Sequence, residues 1–321
     1  LNSHCTQQHQ RSRADQHQRF KRINLGDSVA GSATGVTLSG DVVLTTAGGN
    51  LNINGAVMGS AANTQSLTLN ATSAGVVNVT STVGYNPLGN NASLRNLTLT
   101  HSHDATFEAA VKADNSVMLS NTTAGRTITF QGNLTTPTLT TTGSSYNLAL
   151  LGSNTNITGT QAATVFNNTG TLTLGNNASD NLSFAGGLTA TAPSSIHAAG
   201  QISTTNADIT FGSAPVSLLD NATINSGDGN IIFGGTIDTS AASAVARSLN
   251  INSNATTTLG GAVGTTRALS SLTTNSSGSL VINAGRISTA GDQTYGKDTT
   301  LVSDTTLEAD TGNISFNGTI D

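Results

Sequence analysis

Charge is scarce in this sequence: Asp, Glu, Lys and Arg together make up 9% of 321 residues, against about 25% in ordinary soluble domains. Glu and Lys hardly appear, and Leu seldom falls at i, i+3 and i+4, which excludes an ordinary amphipathic-helix protein. Aromatics are 3%, Trp is absent and there are only 4 Pro. A single cysteine, Cys5, rules out an intramolecular disulfide framework and fits a large secreted bacterial protein or a reduced cytosolic one equally. No apolar run reaches 18 residues, so no transmembrane helix is expected. No signal peptide is recognisable and residue 1 is Leu, so the chain reads as a fragment or a processed product.

The polar share is carried instead by Thr, Ser, Asn and Gly. β-Branched Thr favours pleated strands, while Asn and Gly favour the turns between them. Hydrophobic residues still make up 36%, placed in alternation through most of the chain. Disordered sequence cannot bury enough apolar surface to fold; this alternation can. An all-β chain is expected.

Residues 1–24 do not match the rest. They hold Arg11, Arg13, Arg19, Lys21 and Arg22 with His4, His9 and His17, leaving the body 25–321 with seven basic against sixteen acidic residues, a net charge of about −9. Such a segment suggests a nucleic-acid arm or metal-binding tract, but the abrupt change in composition favours a disordered or non-native basic tail.

The body repeats one pattern: a polar or Gly turn, two apolar residues in alternation, Gly, then another apolar residue. It reads Gly49-Asn50-Leu51-Asn52-Ile53-Asn54-Gly55-Ala56-Val57, and returns at Thr127–Leu134 and Asn181–Leu188. The clearest pair is Gly229-Asn230-Ile231-Ile232-Phe233-Gly234-Gly235-Thr236-Ile237-Asp238 and Gly312-Asn313-Ile314-Ser315-Phe316-Asn317-Gly318-Thr319-Ile320-Asp321. Copies between Gly186 and Gly261 recur roughly every 22–27 residues, a solenoid period. Alternate side chains of a strand point to opposite faces, so Leu51 with Ile53, and Ile314 with Phe316, are expected in a narrow core, with Asn52 and Ser315 in water. At roughly 25 residues per coil and about 4.8 Å between coils, 25–321 gives about twelve irregular coils and a rod of roughly 60 Å. Loops or extra strands are expected before residue 180, where the spacing is irregular. A β-sandwich array, the alternative, needs clearer hairpin signals and larger aromatic cores.

The stretches Gly260-Gly261-Ala262-Val263-Gly264 with Leu269-Ser270-Ser271-Leu272, Ile287–Gly296, and the closing Gly312–Asp321 motif are similar to repeats of large bacterial exoproteins of the filamentous haemagglutinin type. The resemblance covers residues 200–321 well, 25–200 loosely and 1–24 not at all. It implies a right-handed parallel β-helix, secretion to the bacterial cell surface and a role in attachment or biofilm. The secretion domain of that family is not recognisable here.

β-Helices also include polysaccharide lyases and hydrolases, which need converging carboxylates. The nearest clusters are His101, His103, Asp104 and Glu108, and Asp298, Asp304, Glu308 and Asp310. His101 and His103 alternate, so both could face one side with Asp104 and hold a metal, but a third ligand at fixed spacing is missing. The C-terminal acids could hold Ca²⁺, yet no GGxGxD nonapeptide occurs. No GxSxG elbow, Walker loop or dinucleotide fingerprint is present. Runs such as Thr98-Leu99-Thr100, Thr127-Ile128-Thr129 and Thr171-Leu172-Thr173 raise ice binding, which requires Thr pairs in register on every coil. No catalytic, cofactor or metal residue is therefore assigned. The expectation is a structural or adhesive repeat segment, not an enzyme. Its partners are glycan or host-surface ligands and neighbouring coils of a longer parent. An acidic, aromatic-poor body disfavours nucleic acid and anionic membranes.

Overall fold

Alternating inward and outward residues, punctuated every few positions by Gly, Asn or Ser, can form only short strands that turn and repeat. A computed structural model of the chain describes residues 22–26, 35–85, 92–275 and 277–321. Residues 1–21, and with them most of the expected tail, lie outside the described ones. Thirty-three strands and no helix are found among the described residues, the first at Ile23–Leu25. Every strand pairing between them is parallel, and pairing joins each segment to the one about a coil later. The chain is a β-solenoid of about twelve turns. Hairpins, which a sandwich requires, do not occur among these pairings.

Three ladders run the length of the stack, and the chain visits them in the same order on every turn. The first aligns Ile23, Leu51, Val77, Ala105, Ile128, Leu148, Leu172, Ile196, Val216, Ile237, Val263, Ile287 and Leu307. The second aligns Val36, Val57, Val83, Val111, Leu134, Thr155, Leu182, Ile202, Ile224, Ile251, Thr274, Tyr295 and Phe316. The third runs Val42, Leu67, Leu97, Val117 and Leu139, then Thr164, Leu188, Ile209, Ile231, Thr257, Leu280, Thr299 and Ile320. Between Leu139 and Thr164 side chains take over from the backbone. The Asn167 N–H donates to Thr141 Oγ1 at 2.7 Å, and Asn167 Nδ2 donates to the Thr141 carbonyl at 3.0 Å.

Turn length varies from the step Ile128 to Leu148 to the step Leu67 to Leu97. The longest step, Leu67 to Leu97 on the third ladder, and the long steps Ile23 to Leu51 and Val77 to Ala105 on the first fall in the early turns, where loops were expected. The repeated motif marks a different unit from the coil. Gly229–Asp238 occupies the third face and then the first, through Ile231–Phe233 and Ile237–Thr239. Gly312–Asp321 occupies the second face and then the third, through Ile314–Phe316 and Ile320. One strand–corner–strand grammar thus serves more than one corner, because each corner makes the same demand: an apolar pair inside, a tight bend, and an apolar residue inside again.

Leu51 and Ile53 are fully buried and Asn52 is only half-buried, as the alternation requires. Burying such a side chain contributes roughly 1.5–3 kcal/mol, and each turn supplies several. The few aromatics stack along the axis: Phe107 on Phe130 at 4.6 Å, Phe211 on Phe233 at 5.0 Å, and Tyr295 on Phe316 at 4.7 Å. Ile314 and Phe316 depart from expectation. They continue the inward positions of Gln293 and Tyr295, yet Ile314, in the last described turn, is 40% exposed. Inward orientation buries a side chain only when a neighbouring coil closes over it.

Close corners demand Gly. A Cβ on Gly261 falls 2.3 Å from the carbonyl oxygen of Gly235 in the preceding turn, and one on Gly235 falls 2.3 Å from that of Ala214. Gly261→Val is predicted to strain this corner by about 1–3 kcal/mol. Strand pairing runs only between adjacent turns, so hydrogen exchange should accelerate in Ile237–Thr239 and around Val263 and Ile287 while Leu51–Ile53 and Val77–Val79 stay protected. Uniform acceleration along the whole chain would contradict a stack held by nearest neighbours.

Candidate functional site

Asn and Asp in this chain hold turns together. At a strand's entry, the side-chain oxygen of one turn accepts the backbone N–H of the aligned residue one turn later. On the third face Asp41 Oδ1 accepts from Ser66 N, Asp208 Oδ1 from Asn230 N, Asn230 Oδ1 from Thr256 N, and Asp298 Oδ1 from Thr319 N, at 2.8–3.2 Å. On the first face Asn50, Asp104 and Asn147 do the same for Val76, Thr127 and Thr171. On the second, Asn133, Asn221 and Asp292 serve Asn154, Ser248 and Asn313. Where Thr or Ser replaces them, hydroxyls bond turn to turn, as in Thr256 with Ser279 at 3.0 Å. These backbone donors sit where the chain leaves its corner, and a short amide or carboxylate reaches along the axis to satisfy them. Asp298 carries the electrostatic signature of the role: hydrogen bonding to Thr319 holds its carboxyl below the usual range.

The sequence candidates fit this pattern. His103 Nδ1 lies 2.8 Å from Asp104 Oδ2, while the other oxygen of Asp104 caps Thr127. His101 ends the preceding strand, and the chain turns at buried Ser102 between the two imidazoles. Asp104 and Glu108 flank the strand Ala105–Phe107, so three residues lie between them and their Cα atoms are about 13 Å apart along extended chain. Of the C-terminal acids, Asp298 opens a strand on the third face, whereas Glu308 lies on the first and pairs with Arg286. No group of three His, Cys, Asp or Glu side chains placed to hold a metal ion occurs among the described residues. The aligned outward positions of the first face read Thr106, Thr129, Ala149, Thr173, His197, Ser217. Those of the third read Thr68, Thr98, Met118, Thr140. Neither forms the unbroken Thr rank that ice binding needs. His101 lines a shallow, open depression with Ser73, Thr122, Thr123, Ser144 and Thr169.

The densest unusual chemistry is inside the stack. Near the C-terminal end the inward positions are polar: Gln293, Tyr295, Lys297 and Thr299 are all buried. Tyr295 Oη donates to Gln293 Oε1 at 2.8 Å, and Gln293 Nε2 donates to the Glu308 carbonyl at 2.7 Å. Lys297 Nζ reaches past the intervening turn to the Ser253 carbonyl at 2.7 Å and Thr257 Oγ1 at 3.1 Å, with the Ala255 carbonyl at 3.4 Å. These partners are neutral oxygens. With Lys297 only 1% exposed, the amine ties three turns together and presents no face to a ligand. The signal is present in the sequence, since Gln293, Tyr295, Lys297 and Thr299 alternate in strand register, but a search for core positions by apolar residues passes over it.

Comparison of the chain with family models, with curated proteins and with solved structures finds no match in any of the three. No helix among the described residues is long and apolar enough to cross a membrane.

Two predictions follow from the caps and the buried amine. Asn133→Ala removes the acceptor for Asn154 N and should cost about 1 kcal/mol, whereas Asn133→Asp should largely retain stability; urea denaturation of the pair against the parent checks this. Burial pushes the Lys297 pKa down from 10.5 to about 8. The unfolded chain therefore binds more protons between these values, and stability should rise with pH across that window by at most about 3 kcal/mol. Above about pH 10 the trend should reverse. Tyr146, pushed up to about 12 by burial, and Tyr295, pushed up likewise, keep protons that the unfolded chain loses. Urea midpoints followed by tyrosine fluorescence should show the rise in the parent and a flat profile in Lys297→Met; an identical rise in both would exclude Lys297 as its source.

Proposed function

We propose that this chain is a rigid structural and adhesive segment of a large secreted bacterial surface protein, similar in kind to the filamentous haemagglutinin repeats its motifs resemble. The observation that carries the reading is how the polar residues are used. Carboxylates and amides at strand entries are engaged in joining one turn to the next, and the aligned outward positions on the strands are mainly neutral Thr, Ser and Asn. Such a rod offers length and repeated weak contacts, so attachment would come from many low-affinity contacts acting together. Glycans or host-surface molecules, met along an outward face, are the proposed partners.

Beads coated with the full chain at increasing density, presented to a glycan panel and to host cells, test the proposal. Attachment that rises steeply with density and is competed by one soluble glycan class supports it. Absence of attachment, together with release of new reducing ends or unsaturated uronate from a polysaccharide, would replace it with the β-helical lyase or hydrolase reading.

A further inference from the structure

The corners that join the third face to the first are unequal in length. The corner between Leu99 and Ala105 is shorter than those on either side of it, between Leu69 and Val77 and between Leu119 and Ile128. The two longer corners meet across the shorter one. Thr123 Oγ1 donates to the Ser73 carbonyl at 2.8 Å, and the Thr123 N–H donates to the carbonyl of the intervening Ser102 at 3.0 Å. Beyond Thr123 the wall continues through 143–145 and Thr169, where the Gly125 N–H donates to the Ser145 carbonyl at 2.8 Å and the Thr169 N–H to that of Ser144 at 2.9 Å. These bonds frame a depression of about 610 Å³ that crosses the successive turns from Ser73 to Thr169. Its volume falls within the roughly 300–1,000 Å³ of small-ligand sites.

The lining is polar and uncharged. Hydroxyls, the Asn121 amide and the His101 imidazole form it, and among the described residues no Asp, Glu, Lys or Arg does. Asn50 and Asn133 use their side chains to cap the next turn. By contrast, the side chains of His101, Asn121, Ser144 and Thr169 make no hydrogen bond among the described residues. Donors and acceptors therefore stand free on a wall that the backbone fixes. A second observation marks the same place. Of the three buried side-chain oxygens without a partner among the described residues, Ser102 Oγ and Asn168 Oδ1 belong to the chain neighbours of His101 and Thr169. Unmet buried hydrogen bonds cost stability, and folds accept such costs where a surface serves function.

We propose that this depression binds one or two rings of a neutral saccharide through hydrogen bonds. Sugar hydroxyls both donate and accept, as the free groups on the wall require, whereas a uronate would bring its carboxylate to a surface without Lys or Arg. No Phe, Tyr or Trp lines the depression, so stacking adds nothing and each contact is weak, which suits attachment by many copies. The proposal gives the glycan contact of the adhesive reading a location, and rests on that reading.

Amide chemical shifts of the full chain, titrated with a panel of neutral mono- and disaccharides and with glucuronate, test it. At least one neutral sugar should give saturable shifts confined to His101, 121–124, 143–145 and Thr169, and glucuronate should bind more weakly. Asn121→Ala should weaken binding about three- to tenfold. A Cβ at Gly143 meets nothing nearer than the Asn167 carbonyl oxygen at 3.9 Å, so Gly143→Leu should fold and abolish binding by filling the mouth. Far-UV circular dichroism matching the parent establishes folding, and the parent's shifts decide alone if a variant fails it. No saturable shift with any neutral sugar, shifts centred elsewhere, or equal binding of glucuronate overturns the proposal. The coated beads separate the two claims. Parent attachment that survives in folded Gly143→Leu overturns this site and leaves the adhesive reading standing. Saccharide shifts at the depression without bead attachment uphold the site and remove the adhesion.

Discussion

The parallel backbone hydrogen bond between one turn and the next is the constraint on which everything else in this molecule depends. With so few aromatic residues, a conventional core would have little to fill it. Stacking solves this differently: each turn is narrow, needs only a few inward residues per face, and is covered above and below by turns built the same way. The aromatic side chains that exist lie along the axis, Phe107 on Phe130 and Phe211 on Phe233, so that they reinforce the stacking direction. Gly at corners such as Gly235 and Gly261 lets backbones approach closely enough for the ladders to stay continuous.

The same constraint explains the polar composition. Corners interrupt a ladder and leave donors at strand entries, and in this chain Asn and Asp fill those positions from the preceding turn, Asp41 to Ser66 and Asp298 to Thr319 being two cases near opposite ends. This use draws the carboxylates out along three faces and keeps them apart. Asp104 shows the outcome, with one oxygen on a backbone N–H of the next turn and the other on His103. The buried cluster around Lys297 is the exception to an apolar interior. Its amine bonds oxygens two turns back, so it replaces packing with a fixed set of hydrogen bonds.

Much of the architecture was legible in the sequence because a strand's period of two is local. The alternation at Leu51, Asn52 and Ile53 specifies its own burial, and the 22–27-residue recurrence matches the step between turns. What the sequence did not disclose is how the motif maps onto the faces. Gly229–Asp238 and Gly312–Asp321 look like copies of one coil position but stand on different faces, since every corner imposes the same local chemistry. Burial at Ile314 was also misjudged, because it depends on a covering turn and not on the residue. The paired roles of Asp298 and Thr319, or of Lys297 and Ser253, join residues 21 and 44 positions apart. No local pattern marks such pairs until the register is known.

The register is therefore the quantity to measure. Spin labels at Asn52 and Ser288, both outward on the first face and ten turns apart along the first ladder, should give one narrow distance of about 48 Å by pulsed dipolar spectroscopy, at roughly 4.8 Å per turn. A markedly shorter distance, or a broad distribution, would contradict a continuous parallel stack.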